Sequence, residues 1–291
     1  MRTFSTFLAM SLLSCVGCDS LGGGPHAAAS ASAASGAATV PGPSTAAPTA
    51  APAPAPTGPA KWSAFTGPAV TVSLAGPKAW ALVPVAWPDF ATAKIARLDW
   101  VEARGNQQLF RFMSQETLVP NAATAPSKPP AGLAPGAPVV VAANVTSVPG
   151  RVVSVGPKLQ VRYRFAGNVE QPEVAPEDVL PITGKLAFGV PVAYREGGSW
   201  HPGQLVTTSG DALWLIGFGG LPKAIPAADV VPIDAQKRHA KGAKVSAAYA
   251  GKYYTGPVVD VLDDGLAYKV DVGFPFGEVD AVFSDVSSPL P

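Results

Sequence analysis

Apolar positions beyond residue 82 fall in short runs, several alternating with polar ones, broken by Gly, Pro and Asp-Gly. VVVAAN, RVVSVG and LQVRYRF, within residues 139–165, each fit a short strand, as do QLVTTS and ALWLIGF within 204–218. No window carries a convincing helical period. LDDGLAY (262–268) predicts a hairpin turn, Asp-Gly between apolar strands, and SGDAL (209–213) marks a matching one.

This pattern recurs four times. A strand with V-x-A or V-A-[YW] is followed by x-x-G-x-[LV]-V, then an aromatic-rich strand, then a D-V-[LV]-P-I type ending. The third copy, residues 191–233, is the clearest; the second covers 138–182, the fourth begins at Lys244 and the first at Leu82. A period near fifty residues means a tandem array. Four or five strands in about 45 residues predict a small, strongly bent barrel, near the lower size limit for folding alone, so neighbouring barrels are expected to pack together. Repeats three and four, joined by residues 234–243, are the pair expected to be rigid. Prolines Pro120, Pro181, Pro232 and Pro289 in the closing segments suit strand ends or edges.

The N-terminal residues read differently. Arg2 precedes a short apolar stretch, FSTFLAMSLL, too short for a transmembrane helix and consistent with a secretory signal. LLSCVGC resembles the lipobox of bacterial lipoproteins, in which a cysteine is lipidated and becomes the mature N-terminus. Cys18 follows Val16 and Gly17, which suit the box, and is the expected lipidation site; Cys15 is the alternative. Both cysteines lie in the first eighteen residues, so no disulfide is available to the folded region. Residues 19–60 are nearly all Ala, Pro, Ser, Gly and Thr, too little to bury against the ordering entropy, and are expected to be a disordered tether. Such a tether spans roughly 35 Å as a coil and about 130 Å fully extended. The resulting division is signal peptide 1–17, tether 18–60, first barrel 61–120, linker 121–136, and further barrels over 137–183, 184–240 and 241–291.

Without the signal the chain balances 20 acidic residues with as many basic ones. It lacks the basic excess that a phosphate backbone requires, so nucleic acid is not an expected partner. No His/Cys/Asp/Glu spacing suggests a metal site, and no H-E-x-x-H, G-x-S-x-G or catalytic cysteine occurs in the expected mature fold. No enzyme activity, metal or cofactor is therefore expected.

Repeats three and four resemble the Tudor and Agenet group of Src-homology-3-like barrels. Val192, Ala193 and Tyr194 match its opening, and Trp200, His201 and Gly203 its W-Y-x-G; Val245, Tyr253, Tyr254 and Gly256 match in repeat four. The resemblance implies an all-β chain of tandem small Src-homology-3-like (Tudor-like) barrels behind a disordered Ala/Pro-rich segment. In that group aromatic cages hold methylated cations. Carried over, the candidates are Trp200 and Phe218 in repeat three, and Tyr253, Tyr254 and Phe274 in repeat four. Repeat two has Ser147 and Val148 at the cage positions and repeat one offers only Phe90. The bland alternative is that these rings fill barrel cores or the grooves between barrels. The expectation is a lipid-anchored binding or scaffolding module of the bacterial cell envelope, on the periplasmic face of a membrane, holding a protein or peptide. Cell-wall glycan binding and a purely structural spacer are the rivals.

Overall fold

The computed structural model describes residues 65, 70–74, 76–86, 89–112, 114–143 and 146–291. The expected signal, the lipidation site Cys18 and the tether lie outside them. The described chain is all-β, a tandem series of four small barrels. Barrel 1 comprises β1 (Lys78–Ala86), β2 (Asp89–Arg104), β3 (Gln107–Phe112), β4 (Gln115–Pro120) and β5 (Thr124–Pro126). Barrel 2 comprises β6 (Pro138–Ala143), β7 (Thr146–Ser154), β8 (Leu159–Phe165), β9 (Asn168–Glu170), β10 (Glu173–Val174) and β11 (Val179–Pro181). Barrel 3 runs through β12 (Pro191–Glu196), β13 (Ser199–Ser209), β14 (Ala212–Gly217), β15 (Pro222–Pro226) and β16 (Val230–Pro232). Barrel 4 runs through β17 (Lys244–Tyr249), β18 (Lys252–Leu262), β19 (Ala267–Asp271), β20 (Glu278–Val282) and β21 (Val286–Ser287).

Each barrel is an antiparallel meander whose last strand returns to pair with its first, giving the strand order 4-3-2-1-5 in barrels 1, 3 and 4; in barrel 2 the order is β10-β8-β7-β6-β11, with β9 also paired to β8. A single 3-10 turn precedes each closing strand: Asn121–Ala123, Pro176–Asp178, Ala227–Asp229 and Phe283–Asp285. The long second strand of each barrel bends at a bulge against the third, where the register skips Val101, Val153, Val206 and Val259. An extra residue here raises the local twist and lets one long strand serve both halves of a small barrel. Three residues earlier stand Gly150, Gly203 and Gly256. A Cβ there would meet the carbonyl oxygens of Arg162 and Ile216 at 3.0 Å, and would overlap that of Asp271. The glycine of the sequence repeat is thus set by the close approach of the next strand. Barrel 1 carries Leu98 in its place, where pairing with β3 begins only at Asp99.

The closing strand of barrel 1 differs from the expected division. Residues 121–136, expected as a linker, supply both the 3-10 turn and β5, which pairs with β1 from Ala79 to Ala81. Pro126, not Pro120, is therefore the counterpart of Pro181 and Pro232. Buried groups hold this segment: Gln108 donates to Asn121 at 2.9 Å, and Thr124 Oγ1 donates to the Asn121 carbonyl at 2.8 Å.

Apolar packing crosses between repeats that are not sequence neighbours. Val206 and Ile216 of barrel 3 belong to the core built around Trp80, Ile95 and Phe110 of barrel 1. Val140 of barrel 2, Ile182 and Val190 belong to the core built around Tyr268 and Phe283 of barrel 4. Units this small bury too little apolar surface alone, and sharing cores offsets that deficit. Arg151 fastens barrel 2 to barrel 4. Its guanidinium donates to the carbonyls of Gly265, Gly136 and Ala235 at 3.4, 3.1 and 2.9 Å and lies 4.3 Å from the Phe283 ring centroid. The second strands pack in pairs, β2 against β7 and β13 against β18.

Candidate aromatic site

The β17–β18 hairpin turns at Ala250 and Gly251, both with positive φ (47° and 80°), the geometry of a two-residue primed turn. That tight turn brings Tyr249 and Tyr254 to the same end of barrel 4. The β19–β20 connection reaches the same end through a compact loop. Asp271 Oδ1 accepts from the Gly273 amide at 3.0 Å, and the Phe276 and Gly277 amides both donate to the Gly273 carbonyl. The loop places Phe276 between the two tyrosines. Its ring centroid lies 5.3 Å from Tyr249 and 5.2 Å from Tyr254, at interplanar angles of 62° and 65°. Both tyrosines meet Phe276 in T-shaped contacts, a favourable aromatic arrangement. Tyr249 and Phe276 remain 41% and 40% exposed, and Phe274, on the same loop, is fully exposed.

The five aromatic candidates therefore do not converge. Tyr254 belongs to this rim, and Phe274 stands on its loop. Trp200 is half-buried and donates Nε1–H to the carbonyl of Pro291 at 2.7 Å. Tyr253, its counterpart in barrel 4, is half-buried. Burial and then the nearby Asp285 carboxyl push the Tyr253 phenol well above its usual range. Phe218 lines a cleft between barrels and packs on Gly251, where an added Cβ would sit 3.0 Å from its ring. Tyr249 and Phe276 were not among the sequence candidates. Their signals were an aromatic at the end of V-S-A-A-Y and the F-P-F-G doublet, the first the last residue of a strand before its hairpin turn and the second in a loop.

The matching end of barrel 3 is occupied. His201, the counterpart of Tyr254, stacks on Tyr194 at 5.4 Å, and its Nδ1 lies 2.8 Å from the Gly251 carbonyl. A carbonyl can only accept, so that nitrogen carries the proton. Phe218 begins a 3-10 turn whose Gly220, at φ 81°, approaches the backbone of Ala93 in barrel 1 so closely that a Cβ would lie 2.9 Å from its oxygen. This turn thus touches both barrel 1 and barrel 4, while the Phe218 side chain stays 61% exposed. Among the described residues no group of three or more His, Cys, Asp or Glu side chains could hold a metal, and no helix is long and apolar enough to cross a membrane.

The described residues form a chain of small antiparallel β-barrels, with an open aromatic rim on barrel 4. Comparison with known proteins carries the identification no further: no protein-family model and no curated protein matches the chain.

Proposed function

We propose that this chain is a non-enzymatic binding or scaffolding lipoprotein of the bacterial cell envelope, anchored through Cys18, whose Tudor-like barrels hold a protein or peptide. The observation that carries the reading is the rim of Tyr249, Tyr254 and Phe276, beside the fully exposed Phe274, at one end of barrel 4. A spacer would have no use for four aromatic rings at one open end, since exposed apolar clusters of this kind mark interaction surfaces. The T-shaped packing of the rings departs from the flat platform that favours a sugar face. The shared cores of barrels 1 with 3 and 2 with 4 suit a rigid scaffold that holds this rim in a fixed direction.

The test is recovery of partners from envelope extracts with the full chain and with a Tyr249→Ala, Tyr254→Ala, Phe276→Ala triple variant. A protein retained by the native chain and lost by the folded variant supports the reading. Equal recovery by both would sink the rim as the site. Recovery of a wall glycan would move the function to the rival class.

A further inference from the structure

The joint between barrels 1 and 2 and the joint between barrels 3 and 4 are built on one plan, with the second strands packed together in each. In the first, Arg97 of β2 reaches across to Asp178, in the 3-10 turn before the closing strand of barrel 2, and forms an ion pair with it. Arg97 Nε also donates to Ser127 Oγ at 2.8 Å. Asp178 is the acid of the D-V motif, and Asp285 holds the same place in barrel 4. Strand register identifies the counterpart of Arg97. Trp80 pairs with Arg97 on one side and Ala125 on the other, and in barrel 3 Ala193 pairs with Pro202 and Val231 in the same way. Pro202 therefore stands where Arg97 stands. A proline cannot reach or neutralise an acid.

What remains in the second joint is a cleft of about 370 Å³ where barrels 2, 3 and 4 meet, lined by both Pro202 and Asp285. Its walls are largely apolar, including Val140, Pro149, Ile216 and Phe218, and no Lys, Arg or His lines it. Among the described residues Asp285 forms no ion pair. Burial raises its carboxyl from the usual 3.8 to about 6, as expected for an acid drawn from water without a cation.

We infer that this cleft is a binding site for a guanidinium group supplied from outside the chain, seated on Asp285 as the guanidinium of Arg97 is seated on Asp178. The planar fork of a guanidinium suits a carboxylate, and the apolar walls suit the methylene stem behind it. The site is separate from the aromatic rim, so either can fail without the other.

Ethylguanidinium and its neutral isostere ethylurea distinguish the charge from the cleft. In amide-resolved NMR at pH 7.5, ethylguanidinium should shift Gly203, Gly217 and Asp285, and ethylurea should not. Asp285→Asn should weaken the binding roughly tenfold or more. Pro202→Arg should abolish it by supplying the missing side chain from within, while melting no lower than the native chain. Binding should also weaken as pH falls through about 6, when Asp285 takes up a proton. A short blocked Gly-Arg-Gly peptide beside its citrulline analogue separates the sources. Tighter binding by the arginine peptide than by ethylguanidinium assigns the site to a peptide, and the reverse assigns it to a small molecule. Equal binding of ethylguanidinium and ethylurea, undiminished binding by Asp285→Asn, or no binding by any cation would overturn the inference.

Discussion

Barrels 3 and 4 share strand order, bulge, hairpin type and closing turn, yet one end is filled and the other open. In barrel 3 the rim position His201 is drawn inward onto Tyr194 and bonded to the Gly251 carbonyl, with Phe218 packed on the same glycine. In barrel 4 the equivalent Tyr254 meets only its own barrel's Phe276 in an aromatic contact, and Phe274 meets water. The difference lies in occupancy. The rim of barrel 3 holds the β17–β18 turn of barrel 4, and no described segment fills the rim of barrel 4. A repeat thus supplies the same scaffold twice, and its neighbours determine whether an aromatic acts as joint or as surface.

The sharpest way to break this comparison is at the turn itself. Gly198 and Gly251 occupy equivalent places in the two primed turns, at φ 76° and 80°. A Cβ on Gly198 meets nothing, whereas one on Gly251 meets Phe218 at 3.0 Å. Gly198→Val should cost about 1–2 kcal/mol of backbone strain alone. Gly251→Val adds overpacking and should cost about 2–4 kcal/mol. Urea denaturation of both variants checks this; equal costs would mean that the turn of barrel 4 is not seated in the rim of barrel 3.

The parts legible in the sequence were those set by local pattern. Period-two alternation marked the strands, and Asp-Gly marked the β18–β19 hairpin, whose Asp263, Asp264 and Gly265 all adopt positive φ. The closing strand of barrel 1 was hidden in a Pro/Ala stretch because three extended residues need no strand-forming composition when Gln108 and Asn121 hold them from outside. The tyrosine doublet announced an aromatic surface, but adjacent strand residues face opposite sides, so Tyr253 and Tyr254 were never available to one site. Contacts between barrels 1 and 3, or 2 and 4, join segments far apart in sequence and leave no periodic trace.

Asp285 offers the next largest effect. Its raised native pKa stabilises the protonated fold, so this contribution is fully present below about pH 4 and is lost as pH rises through about 6. A rise from 3.8 to about 6 corresponds to roughly 3 kcal/mol, and partial solvent exposure reduces it. Asp285→Asn should therefore gain about 1–2 kcal/mol at pH 7.5 relative to the native chain. The gain should shrink steadily toward pH 4. Thermal melts at both ends of this window measure it, and a gain independent of pH would refute the assignment to ionisation.

A smaller contrast separates joint from surface directly. His201→Ala removes a hydrogen bond across barrels and a ring stack, and should cost about 1–2 kcal/mol. Tyr254→Ala removes an edge contact on an open rim and should cost about 0.5–1 kcal/mol. Chemical denaturation that ranked Tyr254 above His201 would show its ring to be part of the core.

The smallest expected change in stability falls at Phe274, whose side chain is fully exposed. Phe274→Ala removes no burial, and its melting curve should shift by no more than about 0.5 kcal/mol. A large aromatic held in water by a hydrogen-bonded loop contributes nothing to its own fold, so its contribution must appear elsewhere. If the rim binds a partner, the same substitution should weaken capture while stability stays level. Capture and melting that were both unchanged would confine the binding surface to Tyr249, Tyr254 and Phe276, while a loss of stability would mean that the loop packs more closely than its exposure indicates.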